Sequence, residues 1–205
     1  MPVFREKTPQ RRIATEKVGN YRDHRDNLRE DFNHRCGYCD SLDNFRRAHY
    51  EIDHFIPKKF LEKVFSTPEK YKDKEQEYKN LVYACHSCNN AKGEKWPANS
   101  IEYSFIGSTG FIDPCKSEYD NQFERDVNGK IIAKTELGKW IHKELKLWKP
   151  EHLVIWHLDE ISKTIKEIEN LMTDKETSDE KGILEKHHYL ALLRYKKYHD
   201  QLMEY

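Results

Sequence analysis

The sequence lacks the features that mark several classes of protein. It has no net charge, since 36 basic residues balance 36 acidic ones, so no global electrostatic field draws it toward nucleic acid. No stretch approaches the roughly 18 consecutive apolar residues of a membrane-spanning helix. Residues 1–7 contain no apolar segment of the kind that a secretory signal needs. We therefore expect a cytoplasmic protein.

Cysteine is scarce, but its spacing is informative. Four of the five cysteines form two Cys-x-x-Cys pairs, Cys36 with Cys39 and Cys85 with Cys88, separated by 45 residues. Such pairs suit a metal site in a reducing compartment better than a disulfide framework. A redox dithiol and an iron site are the alternatives, and His86 is a possible replacement ligand. We predict a structural zinc site that joins the ends of the intervening segment.

Between the cysteine pairs lies an Asp53-His54 dipeptide. Phosphodiester hydrolysis needs a water deprotonated near neutral pH, and histidine is the side chain whose ordinary pKa suits this task. Neighbouring residues of a strand point to opposite faces, so the two share a site only if the chain turns, as Pro57 allows. A packed or surface histidine is the alternative reading of His54.

Two asparagines add further candidates. Asn89 directly follows the last cysteine, and its amide oxygen with the Asp53 carboxylate would form a hard oxygen site for Mg²⁺ or Mn²⁺. Asn80 is interpreted as an architectural residue that ties the long loop to the backbone near His54. A turn or cap role is the alternative for each asparagine.

The local patterns predict a helix near the N-terminus and a strand–loop–strand–helix order around the motifs. Asn20 is a candidate cap, and Leu28 and Phe32 lie four residues apart on one helix face. The other expected elements are a strand in 47–57, an insertion at 58–79 with a charged helix that starts at Pro68, a strand at 81–84, and a short helix that ends at Gly93.

The C-terminal part predicts a hairpin followed by helices. Asn128-Gly129 is a strong hairpin signal, residues 137–147 fit a helix, and Pro150 suits the first turn of the next helix. The polar run 173–182 predicts a break before a last helix. We expect that helix to place several apolar residues inward: Ile183, Tyr189, Leu190, Leu193, Tyr195 and Leu202.

The motifs C-x-Y-C, x-I-D-H-F-x-P and N-L-V-x-x-C-x-x-C-N-x-x-K-G, between about Arg35 and Trp96, resemble the HNH endonuclease family. This resemblance implies a ββα-metal fold with His54 as general base. It implies Asp53 and Asn89 as ligands of a catalytic Mg²⁺ or Mn²⁺, and Asn80 as the central asparagine. Many family members have histidine where this sequence has Asn89, which leaves metal preference open.

Three later segments are similar to the tail of bacterial HNH proteins from anti-phage systems of the Septu and retron-associated type. They are Phe111-Ile-Asp-Pro114, Asn128-Gly129-Lys-Ile131 and Leu147-Trp-Lys-Pro150-Glu151-x-Leu153. That likeness implies an antiviral role beside a large ATPase subunit. The C-terminal helices are a candidate docking surface, because they carry aromatic residues of types enriched at interfaces: Trp156, Tyr189, Tyr195 and Tyr198. Those helices are equally well explained as cover for the nuclease core.

Basic residues surround the motif and are candidates for neutralising DNA phosphates. They are Arg11, Arg12, Arg22, Arg25, Arg29, Arg35, Arg46, Arg47, Lys58, Lys59, Lys92 and Lys95.

The sequence thus predicts an α+β protein. The expected parts are a polar arm (1–19), an HNH core with structural zinc and an N-terminal helix (20–110), a hairpin-and-helix extension (111–150) and a C-terminal antiparallel helical hairpin (151–205). The expected function is metal-dependent cleavage of DNA. One alternative is an adaptor that is stabilised by zinc and binds DNA or a partner without catalysis. The other is a ribonuclease.

Overall fold

A computed structural model describes residues 3–13, 19–65, 67–173 and 178–205. The chain divides into two compact units, Met1–Trp148 and Lys149–Tyr205. Helices predominate, and each sheet in the described ranges is an antiparallel pair of strands, which confirms the α+β class. Within these ranges no helix combines the length and the apolar character needed to cross a bilayer. The finer boundaries after residues 19, 110 and 150 stay predictions.

A helix brings the chain to the first cysteine pair. Asn20 caps a 3₁₀ turn at Tyr21–His24, because its side chain accepts a backbone N–H bond. The turn continues into α1 (Arg25–Asp31). Leu28 and Phe32 are both buried, as their four-residue spacing predicts.

The next segment is β1 (Tyr50–His54), followed by the insertion. The insertion holds two helices, α2 (Lys58–Val64) and α3 (Pro68–Gln76), of which the sequence predicted only the second. The α2 helix has only two adjacent apolar residues to bury, Phe60 and Leu61, which is too short a run to show helical periodicity. In α3, no side chain is fully buried, and its charged side chains make polar contacts such as the pair of Glu75 with Lys58.

The second strand, β2 (Leu81–Cys85), pairs antiparallel with β1, so that His54 lies opposite Leu81. It runs directly into α4 (His86–Lys92), which ends at Gly93 with a positive φ of 52°. These elements form the predicted ββα arrangement. Because side chains alternate along a strand, Glu51 and Asp53 lie on the same face of β1, and both contact side chains of α4.

The remainder of the first unit is built from short elements. They are β3 (Phe105–Ile106), β4 (Thr109–Gly110), α5 (Ser117–Asp120), β5 (Phe123–Arg125), β6 (Ile131–Ala133) and α6 (Glu136–Glu144). The predicted hairpin at Asn128-Gly129 joins β5 to β6, with Gly129 at a φ of 90°. The Thr135 hydroxyl caps α6 by accepting the N–H of Gly138 at 2.8 Å.

The N-terminal segment 3–13 packs into the first unit. Phe4 is buried, and its ring lies 5.2 Å from that of Phe123. Arg5 is also buried, and its guanidinium donates to the main-chain oxygen of Gly37 at 3.0 Å. This segment therefore supports the turn between the first two cysteines.

The second unit is a hairpin of two long helices, α7 (Pro150–Thr173) and α8 (Ser178–Leu202). The predicted break at 173–182 is too long, because α8 already begins at Ser178 and includes Gly182. Residues 174–177 of that run lie outside the described residues.

The expected inward face of the last helix is mostly wrong. Ile183, Tyr189, Leu190 and Leu193 are exposed, whereas Leu202 is buried. In the hairpin α8 has one partner helix, so only a narrow stripe of its surface is covered. Apolar residues alone did not indicate which stripe this is.

Candidate functional site

The four paired cysteines converge into one buried cluster. One ligand atom from each of Cys36, Cys39, Cys85 and Cys88 lies within 4.8 Å of all the others. Tetrahedral zinc with Zn–S bonds of roughly 2.3 Å requires sulfur atoms about 3.8 Å apart, and the Cys39 and Cys85 sulfurs are 3.8 Å apart. The donor set therefore fits structural zinc. His86 is not part of the cluster, since its side chain is largely exposed and contacts Glu51 instead.

Without a bound cation, these buried thiols resist ionisation. Hydrogen bonds to Cys36 and Cys39 raise the pKa of the Cys85 thiol, and burial raises the pKa of Cys88. Four thiolates cannot gather in a buried space without positive charge, whereas a coordinated metal ion deprotonates its thiol ligands.

Gly37 lies in the first cysteine knuckle, the turn from Cys36 to Cys39, where there is no room for a side chain. The second knuckle is the corresponding segment from Cys85 to Cys88. A Cβ atom there would lie 2.7 Å from the ring of Phe32 and 3.0 Å from Val82. Its N–H also donates to the main-chain oxygen of Tyr83 at 2.9 Å, which joins the knuckle to β2. This close packing therefore demands glycine at position 37.

Asp53 is buried at the end of β1, and its carboxylate contacts two side chains. The Tyr38 hydroxyl donates to its Oδ2 at 2.5 Å, and the Lys92 ammonium lies 3.0 Å from the same oxygen. Burial raises the pKa of Asp53, while Lys92 and Tyr38 oppose this shift by stabilising the carboxylate. Tyr38 and Lys92 therefore compensate a carboxylate that is removed from water.

His54 is almost fully buried, and its ring makes one hydrogen bond to another residue in the described part of the chain. Its Nε2 lies 3.0 Å from the main-chain oxygen of Glu75 in α3, and its ring meets Tyr21 edge-on with centroids 4.5 Å apart. Nδ1 has no hydrogen-bond partner within the described part of the chain. Burial, and then the positive charge of Lys58, lower the pKa of His54 to about 4. The imidazole is therefore neutral at pH 7.

Lys58 connects the groups around His54. Its ammonium pairs with the Glu75 carboxylate at 2.8 Å and lies 4.8 Å from the ring centroid of Tyr21. Because α3 buries no side chain, this ion pair is one of the contacts that hold the Glu75 carbonyl beside the imidazole.

Asn80 ties the loop after His54 to β2. Its Oδ1 accepts the N–H of Ile56 at 2.8 Å, and its Nδ2 donates to the oxygen of the same residue at 3.2 Å. In addition, the main-chain oxygen of Asn80 accepts the N–H of Phe55 at 2.7 Å. The side chain thus makes the loop contact that the sequence led us to expect, although its catalytic relevance stays a prediction.

Asn89 contacts a residue that the sequence did not single out. Its Nδ2 donates to Glu51 Oε2 at 2.5 Å, and His86 Nδ1 lies 2.8 Å from the other oxygen of Glu51. Burial opposes ionisation of Glu51, but the bonds from Asn89 and His86 outweigh it and lower its pKa. Glu51 stands two residues before Asp53 on the same strand face, and this period of two was the available signal.

The four predicted site residues therefore lie in one region of the fold, but each forms hydrogen bonds with different neighbours. Asp53 and His54 end β1, Asn80 precedes β2, and Asn89 lies in α4. The hydrogen bonds of Asp53 go to Tyr38 and Lys92 rather than to Asn89. The assignment of Asp53 and Asn89 as joint ligands stays a prediction.

Many of the basic residues considered for phosphate contact are engaged within the protein. Lys92 is completely buried, so its assignment as a phosphate contact is wrong. Others pair with carboxylates: Arg11 with Asp113, Arg12 with Asp31, Arg29 with Asp43, Arg35 with Asp40, Lys58 with Glu75, Lys59 with Glu94, and Lys95 with Glu144. The sequence could not separate these pairs from free cations.

Comparison with known proteins gives one match. The family model of the HNH endonuclease matches residues 36–95, which span both cysteine pairs, β1, the insertion, β2 and α4. No curated protein and no solved structure matches the chain. The matched range contains the four-cysteine cluster. Residues 36–95 of this chain are therefore an HNH endonuclease domain with a zinc-type cysteine site, and this domain supports a nuclease role.

Proposed function

We propose that the chain is a metal-dependent HNH endonuclease that hydrolyses DNA with His54 as general base. The observation that carries the proposal is the contact between His54 Nε2 and the main-chain oxygen of Glu75, 3.0 Å apart. A carbonyl oxygen only accepts, so Nε2 carries the proton and the lone pair is on Nδ1. A neutral imidazole in this tautomer is the form that removes a proton from water.

The surroundings of His54 support this role at neutral pH. A pKa of about 4 keeps the ring unprotonated well below pH 7. The low pKa also makes the ring a weaker base than an exposed histidine, so its contribution comes from orientation as well as proton affinity. The Tyr21 contact and the Glu75 bond restrict that orientation.

A hard divalent cation suits the oxygen donors near this residue. Asp53 offers a carboxylate and Asn89 an amide oxygen, and Glu51 holds the amide nitrogen of Asn89. This donor chemistry fits Mg²⁺ or Mn²⁺. When bound, such a cation would supply charge neutralisation at the scissile phosphate and the leaving oxygen. Lys92 already offsets the charge of Asp53, so we expect weak cation affinity.

The proposed reaction is an in-line displacement. His54 Nδ1 takes a proton from water, and the water oxygen forms a bond to phosphorus as the bond from phosphorus to the 3′ oxygen breaks. The 3′ oxygen takes a proton from solvent and His54 Nδ1 later releases its proton to solvent, which leaves 5′-phosphate and 3′-hydroxyl ends. With one site per chain, each event cuts one strand.

One observation favours the alternative of a non-catalytic adaptor. Asp53 is buried and neutralised by Lys92, an arrangement that also suits a purely structural carboxylate. Nicking by the purified protein separates the two functions.

A role in anti-phage defence and docking of an ATPase subunit on α7 and α8 remain proposals. Exposed apolar residues of α8, such as Leu190 and Leu193, are compatible with such docking.

The test is cleavage of supercoiled plasmid DNA with Mg²⁺ or Mn²⁺. Wild type is compared with His54→Ala and with His199→Ala, a control that removes an exposed histidine of α8. We expect metal-dependent nicking by wild type and His199→Ala, and its loss in zinc-loaded His54→Ala. Equal nicking by His54→Ala would refute the mechanism.

Preference for an RNA strand would replace the DNase assignment with a ribonuclease. A zinc-loaded wild type that binds DNA without cutting it would favour the adaptor.

A further inference from the structure

Lys92 contacts both members of the Asp53-His54 pair although it lies on a different element. We propose that Lys92 and Tyr38 are positioning residues through which the two cysteine knuckles fix the Asp53 carboxylate and the His54 backbone. The inference rests on the proposed function, because it assigns these two residues to the same catalytic site.

The contacts of Lys92 are internal. Its side chain is 0% exposed, and Nζ donates to Asp53 Oδ1 at 3.2 Å and to the main-chain oxygen of His54 at 2.8 Å. The ammonium also lies 5.9 Å from the ring centroid of Phe111. A lysine enclosed in this way cannot reach a DNA phosphate. Its donors instead hold a carboxylate and the next peptide carbonyl in one arrangement.

Tyr38 holds the same carboxylate from another direction. Its ring is fully buried, and its hydroxyl donates to Asp53 Oδ2 at 2.5 Å. The main-chain oxygen of Tyr38 accepts a bond from the Tyr119 hydroxyl at 2.8 Å. Asp53 therefore lies between two donors that are themselves fixed by packing.

Each donor belongs to one cysteine knuckle. Tyr38 stands between Cys36 and Cys39, and Lys92 follows Cys88 by four residues, about one helical turn, in α4. A zinc ion held by the two cysteine pairs would set the distance between the two knuckles. It would thereby also set the distance between Tyr38 and Lys92, the groups that hold Asp53. The structural metal would thereby control catalytic geometry as well as stability.

The experiment measures kcat and KM for plasmid nicking in four variants, together with zinc content and thermal unfolding. Lys92→Met and Tyr38→Phe each remove one contact to Asp53, and Lys92→Arg keeps the charge. Lys139→Met is the control, because Lys139 is an exposed lysine of α6 that pairs with Glu136 three residues away.

A displacement of about 1 Å in a catalytic group costs on the order of a hundredfold in rate. We therefore expect Lys92→Met to lose about a hundredfold in kcat with unchanged KM and zinc, and Lys92→Arg to recover part of it. Tyr38→Phe should lose about tenfold, since it removes one of two supports. Lys139→Met should match wild type.

The kinetics can overturn the inference in more than one way. A zinc-loaded Lys92→Met protein with wild-type kcat removes the positioning role. A loss confined to KM, with a weaker salt dependence, would instead identify a phosphate contact. If Lys92→Met does not fold, Tyr38→Phe decides, and wild-type kcat in that folded variant contradicts the inference.

NMR separates this inference from the proposed function. The backbone amide and ring signals of His54 should shift in Lys92→Met and remain unchanged in Lys139→Met, whether or not the wild type cuts DNA. Inactive wild type with these shifts would refute the nuclease assignment alone. Unchanged His54 signals in folded Lys92→Met would refute the positioning role.

Discussion

His54 should resist protonation far below the usual pH range of histidine. Its pKa is lowered from 6.5 to about 4, mainly by burial and secondly by the charge of Lys58. A difference of about 2.5 in pKa corresponds to about 3 kcal/mol of added cost for the charged form. We therefore predict that His54 is neutral at every pH between 8 and 5. The cleavage rate should not fall over that range through protonation of His54.

The sign of the stability effect follows from the same values. The unfolded chain binds a proton at His54 near pH 6.5, whereas the folded chain binds it only near pH 4. Protonation therefore favours the unfolded state, and the contribution of His54 to stability is complete above pH 6.5 and is lost as the pH falls toward 4.

The assay is NMR of isotope-labelled histidine from pH 8 to 5 in zinc-loaded protein. The urea-unfolded chain provides the reference titration near 6.5. In Lys58→Met the pKa of His54 should rise but remain below 6.5, because burial is the larger cause. A His54 transition between pH 6 and 7 in the wild type would refute the reasoning and imply a solvated imidazole.

Two further predictions concern the zinc cluster and the loop after His54. Cys88→Ser should abolish bound zinc and lower the free energy of unfolding by several kcal/mol, since metal binding contributes directly to folding. Metal analysis and thermal unfolding check this prediction. Retained stoichiometric zinc would contradict it. Asn80→Ala removes two hydrogen bonds to Ile56 and should cost about 2 kcal/mol in urea unfolding. An equal loss in the exposed control Asn44→Ala would show that the effect is not specific to this loop.

Local spacing allowed much of the zinc site and the central fold to be predicted. A Cys-x-x-Cys turn places its two sulfurs close together whatever the rest of the chain does, so two such pairs already indicate a four-ligand cluster. The end of α4 at Gly93 was likewise predictable, because it depends on the conformation of one residue.

The partners of the candidate site residues depend on contacts between distant segments. The Glu75 carbonyl lies 21 residues from His54, and Lys92 lies 39 residues from Asp53. A backbone carbonyl carries no sequence signature, and a lysine in a motif looks the same whether it faces solvent or a buried carboxylate. The exposed face of α8 was missed for a related reason, since composition does not specify which stripe a single partner helix covers.

The sequence by itself thus indicated the two cysteine pairs, the ββα order and the candidate residues, because these depend on residue type and local spacing. Only the tertiary structure decided that Lys92 is buried against Asp53, that Asn89 contacts Glu51, and that a carbonyl of the insertion orients His54. These contacts form when packing removes polar groups from water, and each buried group must then find a partner that the folded chain brings within reach.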